Sequence, residues 1–190
     1  MDALCGLCPE HLSFYALRLE KTVPLYRRAA EQPDGDSQAD MYLAALSRME
    51  KSGYRQYEIS NAAKSGFESR HNSKYWLGAD YYGFGPGAHS FIGGVRSAVP
   101  SDLRGYLENP HREITEEAPD LREEYLMLRL RMTAGVDSAD YEARFGVGFA
   151  PVAAVLSRYL AAGLTVHEGS RWRLTPAGML VSNAILCELL

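Results

Sequence analysis

Between His11 and Ser60 the apolar residues change period from two to about 3.6 and back, which confines this stretch to strand, helix and strand. HLSFYALRLE, His11 to Glu20, alternates imperfectly through Leu12, Phe14, Ala16 or Leu17 and Leu19, and its aromatics suit a strand. Lys21 to Gly35 is polar, with Pro24, Pro33 and an Asp34-Gly35 turn signal, and reads as a connection. Ser37-x-x-Asp40 has the form of a capping box, and Tyr42, Ala45, Leu46 and Met49 then make one apolar helical face. Gly53 stops that helix, and YRQYEIS, Tyr54 to Ser60, supplies the second strand. This order predicts a βαβ unit with parallel pairing, hence an α/β sheet or barrel.

Regular periodicity fades from Asn61 to Pro100. There Tyr75, Trp76, Tyr81, Tyr82, Phe84 and Phe91 crowd around Gly78, Gly83, Gly85, Gly87, Gly93 and Gly94. Such a segment packs as irregular core or lines a pocket for a flat ligand. Patterning then resumes. Leu121, Tyr125, Leu128 and Met132 mark a helix, and Asp137-x-x-Asp140 opens a second that Gly146 ends. Pro151 with Val152, Val155, Leu156 and Tyr159 marks a third, ended by Gly163. Leu164 to His167 and Arg171 to Leu174 flank the turn Glu168-Gly169-Ser170, and Thr175-Pro176 opens a final helix to Leu190. Three helices followed by a hairpin predict a winged-helix-like module. With a boundary near Glu116 to Pro119, the chain divides into residues 1–117 and 118–190.

The charge balance limits the partners. The net charge is -4, and from Asp120 to Leu190 seven Arg and no Lys face eight Asp and Glu. The third helix carries only Arg158, too little to neutralise phosphates in a groove, so the tail reads as a packing or partner-binding module. No apolar run approaches the roughly 20 residues of a membrane span. Met1 to Pro9 lacks the basic and apolar regions of a signal peptide, and the expected location is the cytoplasm. Three cysteines, Cys5, Cys8 and Cys187, do not form a disulfide framework. Cys5-Gly6-Leu7-Cys8 has C-x-x-C spacing, but no second ligand pair accompanies it.

Three constellations can carry chemistry. In His71-Asn72-Ser73-Lys74-Tyr75-Trp76 the imidazole can ligate haem iron with nearby rings covering a porphyrin face; equally, His71 can be a hydrogen-bonded structural residue and Asn72 a helix cap. Gly83-Phe84-Gly85-Pro86-Gly87-Ala88-His89-Ser90 lets backbone approach a ligand, or makes a tight turn; it is neither a Walker loop nor G-x-G-x-x-G. His89-Ser90 has no obvious acid partner for a nucleophilic triad. Glu58 and Asn61 stand at a strand's carboxyl end, where α/β folds place ligands, unless Glu58 pairs with Arg55 or Arg70.

Taken in order, PEHLSFYAL, ADMY, GYRQYEISN, SRHNSKYW, YYGFGPGAHSF, GGVR and RLTPAGMLVSN resemble the oxygen-independent coproporphyrinogen III oxidase-like radical SAM family. H-N-x-x-Y-W, complete here as His71, Asn72, Tyr75 and Trp76, resembles its haem-chaperone (HemW-like) branch. The likeness runs from about Pro9 to the C-terminus. It implies the C-terminal half of a partial (β/α) barrel followed by a winged-helix-like domain. It also implies haem binding through His71, Asn72, Tyr75 and Trp76, with His71 the iron ligand, and haem transfer to respiratory proteins. Gly85 and Ala88 would lie beside S-adenosylmethionine. The family's C-x-x-x-C-x-x-C set is missing: Cys5 and Cys8 have the wrong spacing. Without those thiolates no 4Fe-4S cluster and no reductive cleavage of S-adenosylmethionine are expected of this chain, and no catalytic residue is assigned. The resemblance therefore implies either a truncated form of a longer protein or a degenerate gene product; truncation is favoured because half a barrel leaves an apolar face uncovered, through which self-association is expected. The alternative is the C-terminal portion of a coproporphyrinogen III oxidase, which decarboxylates its substrate together with the missing half.

Overall fold

A computed structural model describes residues 1–116 and 118–189. The short helix α1 (Asp2–Gly6) precedes strand β1 (His11–Ser13), a 3-10 helix (Pro24–Glu31) and α2 (Gly35–Lys51). Strands β2 (Arg55–Glu58) and β3 (Asn61–Ala63) follow. Leu46 and Met49 of α2 are buried, as their spacing predicts, with Leu12, Tyr54 and Ala62 in one small core. The helix ends in a Schellman arrangement: the Gly53 N–H donates to the Glu50 carbonyl and that of Tyr54 to the Met49 carbonyl, both at 3.0 Å.

Three expectations for this region are corrected. The capping residue is Asp34, whose carboxylate accepts the Ser37 N–H at 2.8 Å, so Ser37 lies inside the first turn. Strand β1 has three residues, and beyond it Tyr15 and Leu17 are 72% and 60% exposed, because no neighbouring strand continues to meet them. The predicted parallel pair does not form either. Strand β3 lies between β1 and β2 and is antiparallel to both. Only Ile59 and Ser60 separate β2 from β3, so their pairing closes a far shorter loop than the crossover through α2.

The supposedly irregular stretch contains α3 (Arg70–Trp76) and the hairpin of β4 (His89–Ile92) and β5 (Val95–Ala98). After α4 (Leu103–Glu108), strand β6 (Glu113–Glu116) pairs with β5 to complete an antiparallel sheet ordered β4-β5-β6. The period was hidden because the elements are short and glycines fill the turns between them.

The tail begins with α5 (Leu121–Arg129), β7 (Val136–Asp137), α6 (Ser138–Phe145) and α7 (Ala150–Ser157). The hairpin β8 (Thr165–Glu168) and β9 (Arg171–Leu174) follows, then α8 (Pro176–Leu180) and α9 (Ser182–Cys187). Its sheet runs β7-β9-β8. Asp137 caps α6 and Gly146, at φ 66°, ends it, as the sequence predicts. The expected single final helix is instead two, bent at Val181. Thr175 caps α8 against the hairpin, and the bend lets Ile185 and Leu186 turn into the tail's core. Leu190, its expected end, lies outside the described residues. Leu130, Leu156, Leu174 and Met179 centre this larger core, and Ile59 packs against it. The tail docks on the first sheet: the Thr133 N–H donates to the Tyr57 carbonyl at 3.1 Å, and Met132 bridges to Glu58. Among the described residues no helix is long and apolar enough to cross a membrane.

Candidate functional site

Helix α3 carries all four residues of the H-N-x-x-Y-W segment. Ser69 caps it, its hydroxyl accepting the Asn72 N–H at 3.2 Å. The Ser69 N–H in turn donates to the Tyr57 hydroxyl at 3.3 Å, and that hydroxyl lies 2.8 Å from Nε2 of His11. Burial pushes the Tyr57 pKa up, opposed by hydrogen bonds from the Ser69 N–H and the Asn72 side chain. The start of the helix is therefore held to β2 and β1 through one phenol.

His71 and Tyr75 are four residues apart and share the outer face of α3. Their rings meet edge to face with centroids 5.1 Å apart, and Tyr75 meets Tyr81 likewise at 4.7 Å. His71 is exposed and, among the described residues, makes no hydrogen bond. Trp76 faces another way, toward α5, under the Arg131 guanidinium at 5.8 Å. Structure thus joins His71 with Tyr75, turns Asn72 toward Tyr57, and sends Trp76 to the tail.

The glycine-rich loop folds onto the β4–β5 hairpin. The Gly83 N–H donates to the Ser90 hydroxyl at 2.8 Å, its carbonyl accepts from Arg112 at 2.8 Å, and Arg112 also bonds the Ser90 hydroxyl. A Cβ at Gly83 would lie 2.1 Å from the His89 carbonyl oxygen, so only glycine fits. Gly85 is different: at φ +92° it is a turn glycine with open space around it. Ala88 spends both backbone groups within the protein, donating to Gly85 at 3.1 Å and accepting from Val99 at 2.9 Å. Beside Gly85, Phe84 is 86% exposed. Among the described residues no hydrogen bond joins Gly85 or Ala88 to α3.

Glu58 is buried, but neither Arg55 nor Arg70 pairs with it among the described residues. The hairpin turn satisfies it locally instead: its carboxylate accepts from the Asn61 side-chain amide and from the Ser60 N–H at 3.2 Å, while Ser13 donates to Asn61 at 2.5 Å. Ser90 is likewise consumed by structural bonds. Spacing did not single out His11 or Tyr57 as partners of α3, because the link spans 46 residues and has no local periodic signal.

An open imidazole bordered by ring edges fits an axial ligand for haem iron. An iron–sulfur cluster does not fit. Cys5 is buried in the small core, Cys8 is exposed, and among the described residues no group of three or more His, Cys, Asp or Glu side chains converges.

Residues 117–181 match the family described as the HemN C-terminal domain. The fold is that of the solved structure of coproporphyrinogen III oxidase (HemN) from Escherichia coli, a radical SAM enzyme. The TM-score is 0.71 at 17% identity, covering 98% of this chain and 49% of that one. By its tail and by its fold the chain is similar to the C-terminal portion of oxygen-independent coproporphyrinogen III oxidase-like radical SAM proteins. Within that group it is similar to proteins named Heme chaperone HemW. That of Bacillus subtilis (strain 168) is 35% identical over 97% of this chain and 52% of its own length. That of Escherichia coli (strain K12) is 30% identical over 95% of this chain and 50% of its own length. The chain spans about half the length of these curated relatives.

Proposed function

We propose that this chain binds haem on the outer face of α3, with His71 as axial ligand, and serves in delivering haem to a haem-accepting protein. One observation carries the reading: the His71 imidazole is exposed, makes no hydrogen bond among the described residues, and stands against the edge of Tyr75. With its nitrogens free of protein partners among the described residues, the imidazole is open to an outside ligand such as haem iron. Haem, when bound, supplies an iron that exchanges ligands. The chain's own residues set where it is held. Ser69 and Tyr57 fix the start of α3, and Tyr75, itself against Tyr81, stands edge to face with the His71 ring. Delivery is supported by the names of the HemW relatives.

The remaining assignments follow from the same kinship. By that kinship residues 1–117 are assigned to the part derived from the barrel, though its strands pair antiparallel here, and 118–190 to the winged-helix-like module. Gly85 and Ala88 lie beside S-adenosylmethionine in a longer relative, which also supplies the 4Fe-4S ligands. Of the two, Gly85 has the open surroundings for close approach.

Haem titration followed by absorbance, beside a His71→Ala variant, tests the proposal. Saturable binding with a shifted Soret band, lost in the variant, is expected; equal binding by both removes His71 from the site. Decarboxylation of coproporphyrinogen by a longer form with S-adenosylmethionine and a reductant would overturn the chaperone role.

A further inference from the structure

A second face of α3 opens on a different chemistry. Trp76, Phe91, Tyr125, Leu128, Arg129 and Arg144 line a cavity of about 30 Å³ between α3, β4, α5 and α6. The guanidinium groups of Arg129 and Arg144 both lie against the Tyr125 ring, at 5.2 and 5.6 Å. Neither belongs to an ion pair among the described residues, and Arg129 Nε is buried without a hydrogen-bond partner. The carboxylate lining the cavity, Glu124, is taken by Arg96 through one oxygen, while its Oε2 is buried and unbonded. Two cationic groups thus lie against one ring, and the nearby Glu124 carboxylate is bonded to Arg96 rather than to either of them. The planar guanidinium fork of each matches a carboxylate. The cavity has room for a water molecule or the tip of an acidic side chain.

We infer that this cavity is a carboxylate subsite, formed by Arg129 and Arg144, that takes an acidic arm of a porphyrin while the macrocycle stays outside. The choice of porphyrin rests on the haem reading of α3; the carboxylate chemistry does not. Trp76, whose ring lies under the Arg131 guanidinium, also lines the cavity.

Metal-free porphyrins separate this site from iron ligation by His71. Fluorescence titration of the chain with protoporphyrin and with its dimethyl ester, in the same detergent, reads the carboxylate preference directly. The free acid is expected to bind about tenfold tighter than the diester, the scale of a charge-assisted pair. In Arg129→Gln/Arg144→Gln the preference falls below about twofold, while Arg129→Lys/Arg144→Lys keeps part of it through charge alone. Circular dichroism and urea midpoints establish that each variant is folded. Equal binding of acid and diester by the unmodified chain, no binding of either, or a preference that survives the Gln variants overturns the inference. His71→Ala leaves the acid–ester preference intact. If haem binding proves insensitive to His71→Ala while that preference holds, the iron-ligand reading fails and the carboxylate site stands; the reverse pattern sinks only the carboxylate site.

Discussion

Nε2 of His11 lies 2.8 Å from the hydroxyl of Tyr57, and through that phenol the first strand of the chain reaches the helix that carries His71. The same oxygen accepts the Ser69 N–H, so two elements far apart in sequence share one anchor at the start of α3. The orientation of the candidate haem ligand is therefore set from the sheet rather than from the helix itself. A seven-residue helix has too few internal hydrogen bonds to hold its own direction.

Tyr57→Phe removes that anchor while keeping the ring. Unfolding by urea is expected to show a loss of about 1 kcal/mol, the net value of a typical hydrogen bond. Amide exchange locates the effect: the Asn72 amide, bonded to the Ser69 cap, exchanges faster, while amides around Leu156 do not change. An unaltered Asn72 amide in a folded variant would show that the cap stands without the phenol.

His71→Ala separates binding from folding. The side chain is exposed and unbonded among the described residues, so its removal is expected to change stability by no more than about 0.5 kcal/mol. The Soret shift on adding haem disappears. A large destabilisation would mark His71 as a structural residue.

Leu156→Ala and Leu17→Ala contrast two leucines of similar pattern. Leu156 is 0% exposed at the centre of the tail's core, and its truncation is expected to cost about 2–5 kcal/mol by thermal or urea unfolding. Leu17, in the stretch that reads as a strand, is largely exposed, and the same change there is expected to cost less than about 0.5 kcal/mol.

Asp120 caps α5 beside the carboxylate cavity. A hydrogen bond from the Arg122 side chain, reinforced by the Arg122 N–H, holds its carboxyl down from 3.8 to about 2. A depressed pKa stabilises the fold above the unfolded value and loses that contribution as pH falls through the folded one. The difference in Tm between the unmodified chain and Asp120→Asn is therefore expected to stay constant above about pH 5 and to shrink between 3.8 and about 2. A difference that does not change across that window would exclude the ionised cap.

Much of the local structure was legible. Leu46 and Met49 fall on the buried face of α2, Gly53 closes it, Asp137 and Gly146 bound α6, and Thr175 caps α8. Each of these depends on neighbours within a few residues. Phe14 to Leu19 alternates as a strand does, yet alternation is a strand signal only where a partner edge exists, and none continues past Ser13. The site was partly legible for the same reason. His71 and Tyr75 share a face at four-residue spacing, whereas Arg129 and Arg144 belong to different helices that only packing around Tyr125 brings together.

By itself the sequence determined the bounds of α6, the glycine that closes α2 and which of its faces is apolar, the β8–β9 hairpin, and the kinship carried by the H-N-x-x-Y-W segment. Tertiary structure alone decided that β3 divides β1 from β2, that Tyr57 anchors α3, and that Arg129 and Arg144 lie against one Tyr125 ring. The division is physical. Caps and periodicity arise from backbone bonds closed within one or two turns, while strand order and convergent charges depend on which distant surfaces bury one another first.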